Sequence, residues 1–323
     1  MNLDQLAGLV ALTDIQGIGD SRAYELFQAF DSISELRSQP ESAFSEFHYV
    51  DTQVHTAFQT LDAKQESHLE VFEAHLDDGI VPIGIEDERY PEALRSQHAP
   101  LVLYTKGATD RLTDSLVSVS GSRETNTAGC KWIKELSSEL ATAGRTVVSG
   151  GALGVDTAAH RGALNATGKT IVVLGTGLNV PYPPENAELF AEIVDDGGLL
   201  VSHRPPEAEP NRHAFINRNK TISALSSGLI VVATDGSGGT QAQYEIAQKQ
   251  DRRVFVPPKG ANITPSEGIG EIRADSSTTP VTSSGALIDE LEKVETDLAS
   301  DGLKEHTNGV DDDSTQTQFG EWI

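Results

Sequence analysis

The stretch "LVSVSGSRETNTAGCKWIKELSSELATAGRTVVSGG", residues 116–151, decides the fold. It opens on a short apolar run and breaks at Gly-Ser-Arg. Apolar residues at helical spacing then lead to Gly144, and a second apolar run ends on Ser-Gly-Gly. Strand, turn, amphipathic helix and strand account for that order, because a continuous apolar run marks a buried strand and a 3.6-residue period marks a helix. The pattern continues through the helix "VDTAAHRGALNATG", the strand "KTIVVLG", the helix "PENAELFAEIVDDG" and the strand "GLLVS". A helical stretch "RHAFINRNKTISALSS", the strand "GLIVVAT", the helix "TQAQYEIAQKQ" and the strand "RRVFVP" complete it. Strands alternating with helices predict an α/β domain over residues 116–260, a doubly wound and mostly parallel sheet covered on both faces.

Outward from that domain the pattern changes. Residues 1–75 read as a small helical domain of the helix-hairpin-helix or SAM-like kind, with Gly17-Ile18-Gly19 as a tight turn. Such a turn can offer backbone N–H groups to a DNA phosphate, but Asp14 and Asp20 flank it with the wrong charge. A turn that only joins helices is therefore preferred. Residues 76–115 read as a lead-in segment. Residues 261–323 read as an acidic extension, partly disordered, holding one helix ("ALIDELEKVETDLAS") and the polar tail "NGVDDDSTQTQ".

Charge divides along the same lines. The chain carries −25 overall; residues 1–115 hold −14, residues 116–260 are balanced and residues 261–323 hold −11. Excess acid repels polyanions at long range, so the balanced middle is where a nucleic acid could be met. A lysine-poor, acid-rich surface also fits a high-salt cytoplasm, where salt screens charge beyond a few ångströms. No apolar run reaches the roughly 18 residues of a membrane span, and the N-terminus lacks the basic start and cleavage site of a secretory signal. Cys130 is the single cysteine, which fits a reducing cytoplasm and reads as a buried packing residue of the first helix.

The chemistry follows from where the glycines fall. "SGSRET" (120–125), "SGGALGVD" (149–156), "GTGLN" (175–179) and "GSGGT" (236–240) each follow a strand. In a parallel sheet those turns share one edge, and three run into helices whose free N–H groups and positive dipole ends suit an anion. A single Gly-Gly turn would mean only tight packing; four on one edge predict a phosphate-binding crevice. Arg123 and the cluster "NRNK" (217–220) supply cations there, and Phe215 offers a surface on which a base could stack. The candidate phosphate-binding residues are Gly121, Ser122, Arg123, Ser149, Gly150, Gly151, Gly154, Phe215, Arg218, Asn219, Lys220, Ser237, Gly238, Gly239 and Thr240. Asp156 and His160, one helical turn apart, read as a hydrogen-bonded pair that anchors the second Gly turn. No third ligand at motif spacing accompanies them, so no metal is expected, and no other cofactor is implied.

These residues together resemble the DNA-processing protein A family (DprA, also called Smf). The resemblance spans about residues 76–258 and rests on "GIVPIGIEDERYPEALRSQHAPLVLYTKG", "SVSGSRETNTAG", "VVSGGALGVDTAAHRGAL", "TIVVLGTGLNVPYPPENAELF", "GGLLVSHRPP" and "FINRNKTISALSSGLIVVAT". It implies a Rossmann-like domain that binds and protects single-stranded DNA, without catalysis, and passes it to a RecA-type recombinase. A homodimer is also implied. The family's Arg-Asn-Arg motif falls on Arg218, Asn219 and Lys220, where Lys220 keeps the charge and loses the bidentate fork. Ser237-Gly238-Gly239-Thr240 departs from the family's Ser-Gly-Ser form, "PPKGANITPSEG" replaces its usual segment after the last strand, and no winged-helix module is visible in the acidic tail.

The Gly-Gly-Thr turn alone also resembles LOG-type nucleoside-monophosphate phosphoribohydrolases, whose phosphate loop is followed closely by a catalytic Glu. Ala242 and Gln243 stand where that carboxylate is expected, and Glu245 lies too far along the helix. Without it the ribosyl transition state lacks its main stabiliser. A nucleotide sensor without catalysis would use the same crevice.

Overall fold

The structure, a computed structural model, describes residues 1–308 apart from 31, 98 and 167. It divides into two units, residues 78–295 and residues 1–77 with the chain from Thr296. The tail read as disordered lies outside the described residues beyond 308.

The smaller unit is helical: α1 (Leu3–Thr13), α2 (Asp20–Ala29), α3 (Ile33–Ser38), α4 (Thr52–Ala57) and α5 (Leu61–Asp77). Asn2 and Gln5 form a capping box at the start of α1, which satisfies two of its orphan N–H groups. Leu6, Leu9 and Leu12 of α1 and Leu61 and Phe72 of α5 are buried, and Phe44 meets Phe58 with ring centroids 5.2 Å apart. At the Gly17-Ile18-Gly19 turn, Ile18 is buried and the Gly17 carbonyl accepts a 2.7 Å bond from Arg22 Nη1. Asp14 is held by His68 at 2.8 Å.

The larger unit is a nine-stranded sheet built from β1 (Ile80–Gly84), β2 (Val102–Gly107), β3 (Leu116–Ser120), β4 (Thr146–Ser149), β5 (Thr170–Val173), β6 (Leu199–Ser202), β7 (Gly228–Val231), β8 (Arg253–Val256) and β9 (Thr278–Pro280), in the spatial order β1-β2-β6-β5-β4-β3-β7-β8-β9. Its helices are α6 (Glu92–Gln97), α7 (Thr127–Thr142), α8 (Val155–Asn165), α9 (Ala187–Asp195), α10 (Arg212–Leu225), α11 (Gly238–Lys249), α12 (Glu267–Ala274) and the part of α13 (Ser284–Asn308) up to residue 295. From β6 to β9 every pairing is parallel. The central strands are apolar on both faces: Val117, Val147, Ile171 and Leu229 are each fully buried. Such burial contributes about 1.5–3 kcal/mol per side chain, and a sheet covered on both faces shows runs rather than alternation.

Three expectations need correction. The lead-in is part of the sheet: β1 and β2 run antiparallel to each other, and β2 pairs antiparallel with β6 in the register Tyr104↔Ser202. The segment after Pro258 also folds into it, since β9 pairs parallel with β8 (Val254↔Thr278) and Leu287 and Leu291 of α13 are buried in the core. Buried Arg145 ties α13 down through Glu295 and through Glu292 at 3.6 Å. Cys130 is half-buried rather than buried.

From β3 the chain builds outward through β4, β5 and β6 on one side, then returns to start β7 on the other. The carboxyl ends of β3 and β7 are therefore the point where connections diverge, and open α/β sheets leave a crevice there.

Candidate nucleic-acid interface

That crevice is a cavity of about 390 Å³. One wall is the β3–α7 turn with Gly121, Ser122 and Arg123; the facing wall is the β7–α11 turn with Ser237, Gly238, Gly239 and Thr240. Gly150 at the end of β4 and one face of α10 form the floor. Ser237 precedes α11 without capping it, because its hydroxyl bonds Asp235 at 2.8 Å instead. The first-turn N–H groups of a 12-residue helix thus lie uncapped by any side chain, with the positive end of its dipole at the cavity. Asp235 itself lines the cavity, and its bonds from Ser237 hold its carboxyl below the usual range.

Phe215, Arg218, Asn219 and Ile222 reach the cavity together, since positions i, i+3, i+4 and i+7 share one face of a helix. Lys220 stands off that face, half-buried, and does not line the cavity. The sequence cluster "NRNK" therefore supplies one cation here, not two. Arg218 is buried, 8% exposed. Its Nη1 donates to the Val173 carbonyl at 2.9 Å, and its Nε is buried without a partner. The guanidinium lies against the α-carbon of Gly150, where any side chain would displace it. It also lies 5.8 Å from the centre of the Phe215 ring. Burial lowers its pKa to about 10, with the Asp156 carboxyl opposing and Arg123 reinforcing that shift. It remains a cation at neutral pH. Arg123 is exposed at the rim, with no ion pair among the described residues.

Asp156 sits beneath the second Gly turn and accepts the Ala152 N–H at 3.1 Å. Burial pushes its pKa up; Arg218 and hydrogen bonds from the Ala152 and Gly150 amides oppose the shift. The expected Asp156–His160 pair does not form. His160 Nδ1 instead lies 2.8 Å from Thr170 Oγ1, whose own proton goes to the Val147 carbonyl at 2.6 Å. Thr170 must therefore accept from Nδ1–H, and His160 Nε2 is left as a buried lone pair without a partner. Burial first, and then Arg218, lowers the His160 pKa to about 3.

A pH dependence follows. The unfolded imidazole binds a proton near pH 6.5 and the folded one only near 3. The stability it confers is complete above about pH 6.5 and is lost as pH falls towards 3, at about 1.4 kcal/mol per unit. Between pH 7 and 5 the His160 contribution is expected to fall by about 2 kcal/mol, read in urea titrations as the difference between wild type and the variant that lacks the imidazole. His160→Gln is expected to flatten that slope; an unchanged slope would place the titrating group elsewhere.

The remaining expected residues take structural places. Ser149 is buried and donates to the Val119 carbonyl at 2.7 Å. Gly151 is covered by Phe190 and Val172. Gly154, at φ +77°, packs against the Ser122 and Arg123 carbonyls, which a β-carbon would strike. The "GTGLN" turn does not open to the cavity, because the Phe215 ring covers Gly175 and the Pro205 and Pro206 carbonyls cover Gly177. The cavity lining also holds residues outside the expected set, Glu124, Thr234 and Asp235 among them; Gln243, read from sequence only as the place of a missing carboxylate, is buried there and donates to the Asn219 carbonyl at 3.0 Å. Its position one turn after Thr240 was the available signal.

A family model described as DNA recombination-mediator protein A matches residues 82–292. Protein Smf of Escherichia coli is 36% identical over 187 residues, covering 58% of this chain and 50% of that protein. DNA processing protein DprA of Bacillus subtilis is 34% identical over 200 residues, covering 61% and 67%. The chain spans about half the length of the Smf relatives from E. coli and Synechocystis, 50% and 47%. Among solved structures, DNA processing protein A of Streptococcus pneumoniae superposes with a TM-score of 0.61 at 27% identity, covering 85% of this chain and 99% of that one. That of Helicobacter pylori, whose structure is described for its single-stranded DNA binding mode, gives 0.59 at 29%, covering 66% and 96%.

Proposed function

The chain belongs to the DNA recombination-mediator protein A family, and from that premise we propose that it binds single-stranded DNA in the β3–β7 crevice. The observation that carries the proposal is the convergence of uncapped α11 amides, exposed Arg123 and buried Arg218 on one cavity. A backbone phosphate is the ligand those donors suit: the amides and helix dipole meet its charge, and Arg218 meets it as a fixed, desolvated cation. The half-buried ring of Phe215 lies beside that position, so an unpaired base can stack there. A base paired in a duplex is not free to do so, and single strands are preferred. The net charge of −25 repels DNA at long range, so attraction must come from these short-range contacts.

Gripping rather than cleaving fits the carboxylates. Glu245 is exposed, bonded to Gln241 at 3.3 Å and outside the cavity lining. Asp156 is buried against Arg218, and Asp235 is turned into its own loop. Glu124 also lines the cavity, exposed on the β3–α7 turn, and none of the four closely follows the Gly-Gly-Thr turn as the phosphoribohydrolase Glu does. We propose further, as the family resemblance implies, that the chain protects strands, hands them to a RecA-type recombinase and acts as a homodimer.

Anisotropy titrations with labelled oligodeoxythymidines should show affinity rising with length and exceeding that for duplex. Arg123→Ala should weaken binding and lower the log–log salt slope by about 0.7, the value for one phosphate on a single strand. Protein that ignores single strands yet releases base from AMP or CMP would overturn the proposal.

A further inference from the structure

The segment "PPKGANITPSEG" (257–268) is not accounted for by the crevice. It crosses the same sheet edge after β8 and bounds a second cavity of about 290 Å³. Two cations line that cavity, Lys259 and Arg273, and among the described residues no carboxylate does. In a chain of net charge −25 such a site stands out. Lys259 is exposed, with no ion pair or hydrogen bond among the described residues. Arg273 is fixed by a 2.7 Å bond from Nη2 to the Pro257 carbonyl, and its Nε is buried without a partner.

The segment is also joined to both walls of the first cavity. Asn126 Nδ2 donates to the Asn262 carbonyl at 2.8 Å and Thr125 Oγ1 to the Thr264 carbonyl at 3.0 Å, which ties it to the β3–α7 turn. The Thr234 amide donates to the Pro265 carbonyl at 3.1 Å and the Gly268 amide to the Thr234 carbonyl at 3.0 Å, which ties it to the β7–α11 turn. The two cavities are neighbours across one hydrogen-bonded ridge.

We propose that Lys259 and Arg273 form a second phosphate subsite that holds a backbone phosphate of the same single strand, beyond the one gripped in the β3–β7 crevice. The proposal rests on the function proposed above. A strand that fills only the crevice does not reach the subsite; a longer strand crosses the ridge and gains one further contact.

The test uses the full chain, oligodeoxythymidines from about 4 to about 20 nucleotides, and Lys259→Gln, which removes an exposed charge with no structural bond. The variant is expected to bind long oligonucleotides about 3–10-fold more weakly, with the salt slope reduced by about 0.7, and the shortest ones as the wild type does. Arg273→Lys should lower long-strand affinity in the same direction. Unchanged affinity at every length, or equal loss at every length, overturns the subsite. Inorganic phosphate that moves the Gly260 and Ala261 amide resonances, with no loss of DNA affinity in Lys259→Gln, also overturns it and leaves a small-phosphate site. Wild-type protein that binds no oligonucleotide overturns instead the reading on which the subsite rests.

Discussion

Arg218→Ala is expected to weaken single-stranded DNA binding by about 10–100-fold, the worth of one charged hydrogen-bonding group, and to destabilise the fold by about 3–5 kcal/mol. The two effects have different causes. Affinity falls because the crevice loses its buried cation. Stability falls because Asp156, already pushed up by burial, loses the guanidinium that favours its ionised form. A raised carboxyl pKa gives stability that is present at low pH and lost as pH rises above about 3.9, so the variant should be least impaired in acid. Adding Asp156→Asn removes the stranded charge. The double variant is therefore expected to recover most of the stability in urea titrations and none of the DNA affinity. Recovery of binding with stability would show that Arg218 is only a partner for Asp156.

Gly239→Asp is the second large effect, and it separates binding from folding cleanly. Gly239 does not have a positive φ, and a β-carbon built on it meets nothing within 4 Å. The position lies in the first turn of α11, where an acidic side chain gains about 0.3–1 kcal/mol from the helix dipole. Leaving glycine in a helix adds a few tenths more. Thermal stability is thus expected to hold or rise. The new carboxylate, however, lies on the cavity wall where a phosphate would sit. Single-stranded DNA affinity is expected to fall at least 10-fold, while Gly239→Ala keeps the amides and changes it little. Loss of binding in both variants would indicate that a backbone change at this turn, not charge, disturbs the site.

Much of this architecture is legible in the sequence because the central strands are buried on both faces. Apolar runs such as "LVSVS" and "GLIVV" admit few other readings, and the glycines after them mark the carboxyl edge. The edges are harder. β1 and β2 resemble a lead-in because their antiparallel pairing leaves no helix between them and β3. β9, only three residues long, has too little pattern to register, and its pairing with β8 depends on α12 closing the connection.

The site shows the same limit. Composition places two cations in "NRNK", but helical phase turns Arg218 to the cavity and Lys220 away from it. The "GTGLN" turn has the composition of an anion loop and is filled by Phe215, a contact 40 residues distant in the chain. The helical spacing of Asp156 and His160 allows a pair, yet Thr170 takes the imidazole. The first is helical phase, which the spacing holds once the helix is placed; the other two are tertiary contacts that no local pattern encodes.

The central claim is that the β3–β7 crevice grips the phosphate of a single strand. It is tested most directly by titrating a labelled oligodeoxythymidine, by anisotropy at matched salt, with wild-type protein and Gly239→Asp of equal thermal stability. Length-dependent binding by the wild type, reduced at least 10-fold in the variant, is the predicted result. Equal binding by the two proteins would place the DNA elsewhere and contradict the claim.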